Sequence, residues 1–548
     1  MLKKSAKGEL FMKLSFYGAA RAVTGSCHGL RVNGKQYLID CGLQQGRDET
    51  DNAAFPFDPA EVDAVLVTHA HIDHSGRLPL LCKRGFTGPI YCTRLTGELL
   101  SIMLRDSAHI QESDAQWQNQ KGKRAGRPPL EPLYTLLDVE QVLQQIKTCD
   151  YDQLFDVGDG VQARFQDAGH LLGSSFIEVF AREGGETRKI VFSGDLGNLN
   201  QPIIRDPSPL KTADYVVMES TYGDRNHEVT EFDYAQSLAE VIEDTMARGG
   251  NVIIPSFAVG RTQELLYFIR EIKEQGLVHT RPDFPVYIDS PLAREATRIF
   301  SGDLTGYLDQ EARELVQDGI GMFSFPGRQL CATTEESRAL NLDPTPKVII
   351  SASGMCDAGR IRHHLKHNLW RPECTVLFVG FQAVGSLGRH LLDGAESVRL
   401  FGEEIAVRAR LVNFKGLSSH ADRDHLLEWI GGVSPAPRHV FVVHGDAEVA
   451  PAFAARLEGM GLTAHAPLWQ EEYDLMTNAM LAAGVQPPRK APAPERESPA
   501  FQRARTAGKR LTQLITSLRG HTNRELNALA DEIEGLLTRY RPEEEEGK

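Results

Sequence analysis

Residues 67–76 read VTHAHIDHSG, which places His69, His71, Asp73 and His74 within six consecutive positions. Only 18 of the 548 residues are histidine, so the crowding asks for a chemical reason. Imidazole nitrogens and carboxylate oxygens are the donors that suit zinc, and a catalytic zinc site also keeps one position for water. The preceding run VDAVLV (62–67) has the apolar, β-branched composition of a buried strand. On a loop leaving a strand, alternate side chains point to one side. His69 and His71 are therefore expected to share one metal while Asp73 and His74 turn toward another, which predicts two ions rather than one.

Working outward, the same strand-then-polar-residue arrangement recurs. The runs KIVFS (189–193), YVVM (215–218), NVIIP (251–255), KVIIS (347–351), TVLFVG (375–380) and HVFVVH (439–444) alternate with helical patterns, the signature of an α/β fold. Asp40 follows YLI, Asp195 follows FSG, Glu219 follows VVM and His444 follows FVV. Ligand sites of α/β sheets lie beyond the carboxyl ends of strands, so these positions and the histidine cluster are expected to converge. His170 in DAGHLLGSS, Asp195 in SGDLGN and His444 in VVHGD stand in glycine-bearing loops and are the remaining ligand candidates. Taken singly, each fits a helix cap or a satisfied buried histidine better. Taken with the cluster, the balance reverses.

Composition bounds the rest. A chain of 548 residues with 41 % hydrophobic and 24 % charged residues is an ordinary multidomain globular protein. The beginning, MLKKSAKGELFMKLSFYG, has no apolar stretch of signal-peptide length, and no run approaches the ~18 residues of a membrane helix. A cytoplasmic protein without membrane association is expected. The eight cysteines form no CxxC pair and are expected to be small buried residues. A net charge of −14 excludes a general basic coat for nucleic acid but leaves room for a local basic groove. Between Asp114 and Pro132 the polar, basic stretch QWQNQKGKRAGRPPLEP reads as an exposed excursion between helices. The stretch QPPRKAPAPERESPA (486–500) reads as a Pro-rich linker. Beyond it, the spacing of Leu511, Leu514, Ile515 and Leu518, then a Thr522–Glu525 capping box before Leu526, Leu529, Ile533, Leu536 and Leu537, predicts a helical hairpin and an acidic tail over 501–548.

LIDCG, HAHIDHSG, AGHLLGS, SGD and ESTYG, followed by IPSFAVGRTQELL, YIDSPLA, SASGM, SSHAD and VHGD, resemble in this order the metallo-β-lactamase superfamily and specifically its β-CASP nucleases. The resemblance covers about residues 12 to 475 and leaves out the tail. Because the family-like start is MKLSFYGAA, residues 1–11 are read as an extra leader or a misplaced start codon. The resemblance implies an αββα metallo-β-lactamase fold in two parts, 12–223 and 418–480, interrupted by an α/β β-CASP cap over 224–417. It implies one zinc on His69, His71 and His170, a second on Asp73, His74 and His444, and Asp195 bridging them. Asp40 would orient ligands and water from behind, and Glu219 would hydrogen-bond His420 of SSHAD, the general acid.

The activity so implied is zinc-dependent hydrolysis of RNA phosphodiesters by water activated between two metals, leaving 5′-phosphate and 3′-hydroxyl ends. His444 at the third β-CASP motif points to RNA rather than DNA, and the pattern looks most like bacterial and archaeal relatives of the endonuclease that cuts messenger-RNA precursors at their 3′ ends. In the cap, GRTQEL, SASGM and GSLGR place glycines and hydroxyl residues after strands, where backbone N–H groups can bind phosphate. Ser353, Gly354 and Ser386 are the substrate candidates there, with Arg261 and Arg389 as charged contacts. A homodimer is left open, and the carboxy-terminal hairpin is expected to dock on the body or on a protein partner. Two other readings compete: a small-molecule (thio)ester hydrolase of the superfamily, which would lack the cap motifs, and a non-cleaving RNA-binding scaffold, which complete ligands disfavour.

Overall fold

In the computed structural model, which describes residues 12–46, 51–123, 126, 128–227, 233–414, 418–486, 499–518 and 522–539, the run before the histidines forms strand Val62–Leu66. It lies inside an eight-stranded sheet, between the parallel strands Lys35–Ile39 and Ile90–Thr93. A second, seven-stranded sheet carries Glu186–Phe192, Tyr215–Met218 and His439–Val442 as parallel neighbours. The two sheets face each other across an apolar core, with Phe16, Leu30, Ile39 and Leu66 from the first meeting Phe165, Ile177, Phe192, Val217 and Phe441 from the second. The outward faces are covered by helices. Leu81, Leu99 and Leu104 pack beneath Val65 and Ile90, and Leu426, Ile430, Phe453 and Leu457 pack against Val191, Val216 and Val442. This is the expected αββα order.

Both sheets take strands from either side of a long insertion. Glu472–Asp474 pairs with Lys13–Phe16, and His439–Val442 pairs with Tyr215–Met218. The intervening chain builds a six-stranded sheet in which every pairing is parallel. Its strands Val252–Pro255, Val348–Ser351 and Thr375–Phe378 are buried along their whole length. That is what a parallel sheet covered on both faces requires, and why they read as unbroken apolar runs. Ile254 and Ile350 face Leu266 and Ile269 on one side, while Ile253, Ile349 and Phe378 face Ile361 and Leu365 on the other.

The segment from Asp114 is largely exposed, as expected, but its first half does not lie between helices: helix Arg94–Lys123 runs through it. Ala115 is buried on that helix, Lys121 Nζ lies 3.3 Å above the Trp117 ring one turn away, and the Asn119 amide brackets the Leu130 backbone at 2.9 and 2.6 Å. These local contacts outweigh a polar composition that helices tolerate well. Seven of the eight cysteines are buried, as expected, and all are free thiols.

Residues 490–548 form a separate unit. Helices Pro499–Ser517 and Asn523–Arg539 realise the two apolar repeats. The capping box is present, with Thr522 N donating to Glu525 at 3.2 Å and Glu525 N donating to Thr522 Oγ1 at 3.4 Å. The leader 1–11, most of the Pro-rich stretch (487–498) and the acidic end (540–548) lie outside the described residues. Among the described residues, no helix is long and apolar enough to cross a membrane.

Candidate metal centre and catalytic site

Parallel register brings the scattered polar residues together. Ile39 pairs with Leu66, Phe192 with Val217, and Met218 with Val442. The segments that follow those strands, carrying Asp40, residues 67–76, Asp195, Glu219 and His444, therefore leave at neighbouring strand ends. Two glycines make the approach close enough. Gly42 lies so near Asp73 that an added Cβ would fall 1.6 Å from its carbonyl oxygen, and a Cβ on Gly194, at φ +54°, would fall 2.7 Å from Thr68 Cβ.

The result is two groups of metal-ligand type, His69, His71, His170 and Asp195 in one and Asp73, His74 and His444 in the other, buried except for the half-buried His71 and Asp73, while Asp195 also stands in a third set with Glu219 and His420. In the first, His71 Nδ1 lies 3.0 Å from His69 Nε2 and 3.2 Å from His170 Nε2. Asp195 Oδ2 is 3.4 and 3.6 Å from the same Nε2 atoms of His69 and His170. In the second, His74 Nε2 is 3.1 Å from His444 Nε2, which is 3.5 Å from Asp73 Oδ2. Asp195 Oδ1 is 3.1 Å from His74 Nε2 and 3.5 Å from His444 Nε2. One carboxylate thus turns one oxygen to each group.

These separations fit metal binding. Tetrahedral zinc bonds of ~2.0–2.1 Å put donor atoms ~3.4 Å apart, close to every value above. Asp195 Oδ1 is moreover buried, with the ring nitrogens His74 Nε2 at 3.1 Å and His444 Nε2 at 3.5 Å against it, the setting in which a cation would replace a shared proton. The outer nitrogens are tied down. His69 Nδ1 contacts Thr68 Oγ1 at 3.1 Å, His74 Nδ1 contacts Asp40 Oδ2 at 2.8 Å, His444 Nδ1 contacts Thr221 Oγ1 at 3.1 Å, and His170 Nδ1 contacts the Ser419 carbonyl at 3.0 Å. Such contacts fix the tautomer and aim the inner nitrogen.

The charges agree. Burial holds the pKa of His69 and of His170 well below the ordinary value, and that of His71 below it, leaving the neutral ring that ligates metal. Burial works against a proton on His74 and His444 too, but Asp195, helped by Asp40 at one ring and Asp73 at the other, outweighs it and raises both. The carboxylates thus call for positive charge where a divalent cation would stand.

His420 stands at the rim. Loop 418–421 is stitched to loop 196–198 by Ala421 N to Leu196 O at 2.8 Å and Asn198 N to Ser419 O at 3.1 Å. Its Nδ1 faces the two oxygens of Glu219 at 3.2 and 3.3 Å, and its Nε2 points inward, 4.0 Å from Asp195 Oδ2. Its side chain is 20 % exposed, against 0 % for Glu219. Burial opposes its proton, but Glu219 and Asp195 together push its pKa up to about 9. Glu219 is held by the Leu196 amide at 2.6 Å. Asp40 stands one layer behind the ligands, accepting from Thr68 N, Thr68 Oγ1 and His74 Nδ1, each at 2.8 Å.

The cap candidates fare differently. Arg261 lines a cleft of about 1200 Å³ that reaches Ser418 and Asp422, and there it pairs with Glu264. Ser386 caps helix Leu387–Leu392 by accepting from Arg389 N at 3.1 Å, while the Arg389 side chain pairs with Asp393 at 2.8 Å. Ser353 and Gly354 follow strand Val348–Ser351 at the carboxyl edge of the cap sheet, and the Gly354 carbonyl accepts from Gln382 at 3.0 Å. Sequence reading missed Thr68, Thr221 and His227, whose Nε2 contacts the His420 carbonyl at 2.9 Å. The two threonines lie inside motifs already quoted, VTHAHIDH and ESTYG, and adjacency to the ligands was the available signal.

Comparison with known proteins agrees with this geometry. The chain matches the metallo-beta-lactamase superfamily over residues 21–144, the Beta-Casp domain over 262–391 and the Zn-dependent metallo-hydrolase RNA specificity domain over 404–467. It is 40 % identical over 438 residues to "Ribonuclease TTHA0252" of Thermus thermophilus, spanning 80 % of this chain and 94 % of that protein. It is 31 % identical to each of two proteins named "Transcription termination factor FttA", from Methanocaldococcus jannaschii and Methanosarcina mazei. Those matches span 80 % of this chain and 68 % and 67 % of theirs. The chain belongs to the β-CASP family of the metallo-β-lactamase superfamily, and by class it is a metal-dependent hydrolase.

Proposed function

We propose that this protein is a zinc-dependent ribonuclease that holds two zinc ions and hydrolyses RNA to products with 5′-phosphate and 3′-hydroxyl ends. The observation that carries the reading is the split of Asp195, with one oxygen on the His69–His71–His170 side and the other on the Asp73–His74–His444 side, and His420 reaching in from the rim. When bound, a pair of zinc ions would lower the pKa of a water and neutralise charge on the phosphoryl oxygens.

The chain's own residues do the rest. Asp40, Thr68, Thr221 and the Ser419 carbonyl hold the imidazoles in one tautomer, so that no reorganisation is needed as charge develops. Glu219 fixes a proton on His420 Nδ1 and turns Nε2 inward. His420 Nε2–H then protonates the leaving 3′-oxygen as its bond to phosphorus breaks, the role of a general acid. Because water is the nucleophile, attack by an RNA 2′-hydroxyl is not needed. RNA reaches the centre between the two-part metal domain (12–223 and 418–480) and the cap (224–417). The substrate class draws support from the RNA-specificity family matched over residues 404–467 and from the relative named a ribonuclease.

The test is one panel. Purified protein is incubated with end-labelled RNA, single-stranded DNA and a thioester, with and without chelator, alongside measurement of metal content. Chelator-sensitive cleavage of RNA with 5′-phosphate products and two zincs per chain is the expected result. Turnover of the thioester alone, or RNA retention without cutting, overturns the reading.

A further inference from the structure

We propose that Phe257 and Phe381 form a stacking platform on the cap for unpaired bases of the bound RNA beside the metal centre. The inference rests on the ribonuclease reading above.

Strands Val252–Pro255, Val348–Ser351 and Thr375–Phe378 are adjacent and parallel, so the loops that follow them leave by one edge of the cap sheet. Phe257 is in the first loop, Ser353 and Gly354 in the second, Phe381 in the third. The three loops are joined. The Phe257 ring lies so close over Gly354 that a Cβ there would be 3.2 Å from it, and Gln382 Nε2 donates to the Gly354 carbonyl at 3.0 Å and the Gly380 carbonyl at 3.3 Å. The same edge meets the metal domain. A Cβ on Gly260 would stand 3.1 Å from Leu171 Cδ1, and Leu171 is the buried neighbour of His170.

At this edge, with the metal-ligating loops beside it, Phe257 is 49 % exposed and Phe381 is 55 % exposed. Their backbones are nevertheless held. The Phe257 carbonyl accepts from Thr262 Oγ1 at 2.7 Å and from Ser256 Oγ at 3.1 Å, and Gln382, next to Phe381, is buried. Rigid backbone beneath an open aromatic face loses little entropy on binding, which is the design of a stacking surface for single-stranded nucleic acid. Phe401, exposed elsewhere on the cap, differs in that His363 already stacks on it at 4.2 Å. A base offers a π-face whatever its identity, so the platform would grip unpaired strand without reading sequence, while duplex, whose bases are already stacked, would gain nothing.

The experiment is steady-state cleavage of a labelled single-stranded RNA by the metal-loaded full-length protein and its Phe257→Ala, Phe381→Ala, Phe257→Tyr and Phe381→Tyr variants. Each is run on the intact RNA and on RNAs with an abasic site at successive positions. Each alanine variant is expected to raise KM by about 5- to 100-fold, the usual worth of one base–aromatic stack, with kcat changed less than threefold, Tm unchanged and tyrosine restoring KM. An abasic site at the stacked position should impair the wild type but add nothing to the matching alanine variant. Trp370→Ala, an exposed aromatic that precedes strand Thr375–Phe378 at the sheet's other edge, serves as control. KM within twofold of wild type in both alanine variants, or an undiminished abasic penalty in them, overturns the platform while leaving the ribonuclease reading intact. A wild type that cuts no RNA overturns both.

Discussion

Asp40→Asn tests the centre with the smallest change of shape. In the wild type one carboxylate accepts three hydrogen bonds of 2.8 Å, from Thr68 N, Thr68 Oγ1 and His74 Nδ1, and it is fully buried. An asparagine keeps one oxygen, which can stay on Thr68 N. Its amide NH₂ must then face His74 Nδ1–H and the Thr68 hydroxyl, donor against donor. To relieve that clash His74 has to move its proton to Nε2, the nitrogen 3.1 Å from both His444 Nε2 and Asp195 Oδ1. That nitrogen then has no lone pair for a metal. Losing a carboxylate that orients a ligating histidine costs ~10- to 100-fold in metal affinity, or about 1.4–2.8 kcal/mol at ~1.4 kcal/mol per decade. The loss should fall on the Asp73–His74–His444 side, so chelator competition is expected to strip one zinc early and leave the other near its wild-type affinity. The metal-free variant should melt close to metal-free wild type, because the substitution also removes a buried charge. If the Asp40→Asn variant held both zincs as tightly as the wild type, the claim that Asp40 sets the tautomer of His74 would be refuted.

Other substitutions probe other links. His420→Ala is expected to keep its zinc and lose ~10²- to 10⁴-fold in kcat, and zinc loss by elemental analysis would make it a ligand instead. Asp195→Ala should lower the affinity of both ions together, since its two oxygens serve both groups, whereas unequal loss would place it on one side only. Gly42→Ala should lower Tm, because its methyl would meet the Asp73 carbonyl at 1.6 Å; overpacking of this kind costs ~1–3 kcal/mol or more. His439 is buried among Phe441, His465 and Tyr473, and burial, then the nearby His465, brings its pKa down to about 4. The unfolded chain binds that proton near pH 6.5, so stability is full above that pH and falls on acidification toward pH 4, by at most about 3 kcal/mol. Denaturant titrations of wild type and His439→Phe should diverge across that window, and parallel pH profiles would refute the assignment.

What could be read from the chain follows from where information is local. The cap strands Val252–Pro255 and Val348–Ser351 declare themselves because they are buried on both faces and read as unbroken apolar runs, whereas Val62–Leu66, broken by the half-buried Asp63, is marked by its β-branched composition. The polar residue after each run marks the carboxyl end where ligands gather. Thr68 and Thr221 are marked only by lying inside VTHAHIDH and ESTYG beside the site residues, and His227, outside every quoted motif, by nothing. Helix Arg94–Lys123 was legible only in its first half. Its second half is held by contacts such as Asn119 with the Leu130 backbone, which depend on how the chain returns. Arg261 and Arg389 show the limit of charge as a signal, because each has an acidic partner one turn along its own helix.

The position of the insertion follows from the same geometry. Glu219 comes directly after strand Tyr215–Met218, and His444 two residues after strand His439–Val442, two strands that pair residue for residue although the whole cap separates them in sequence. Ser220 N donates to the His444 carbonyl at 3.2 Å, and Ser220 Oγ donates to the Val443 carbonyl at 2.9 Å, closing the seam. An insertion entering after Glu219 and leaving before His420 therefore leaves every hydrogen bond of this pairing in place. It also begins and ends beside His420, the proposed general acid, since His227, just past the entry, contacts the His420 carbonyl, and Asp422 accepts from His227 N at 3.2 Å. A movement of the cap relative to the metal domain would thus act on His420 and, through the Ser419 carbonyl held by His170 Nδ1 at 3.0 Å, on one of the candidate metal ligands as well.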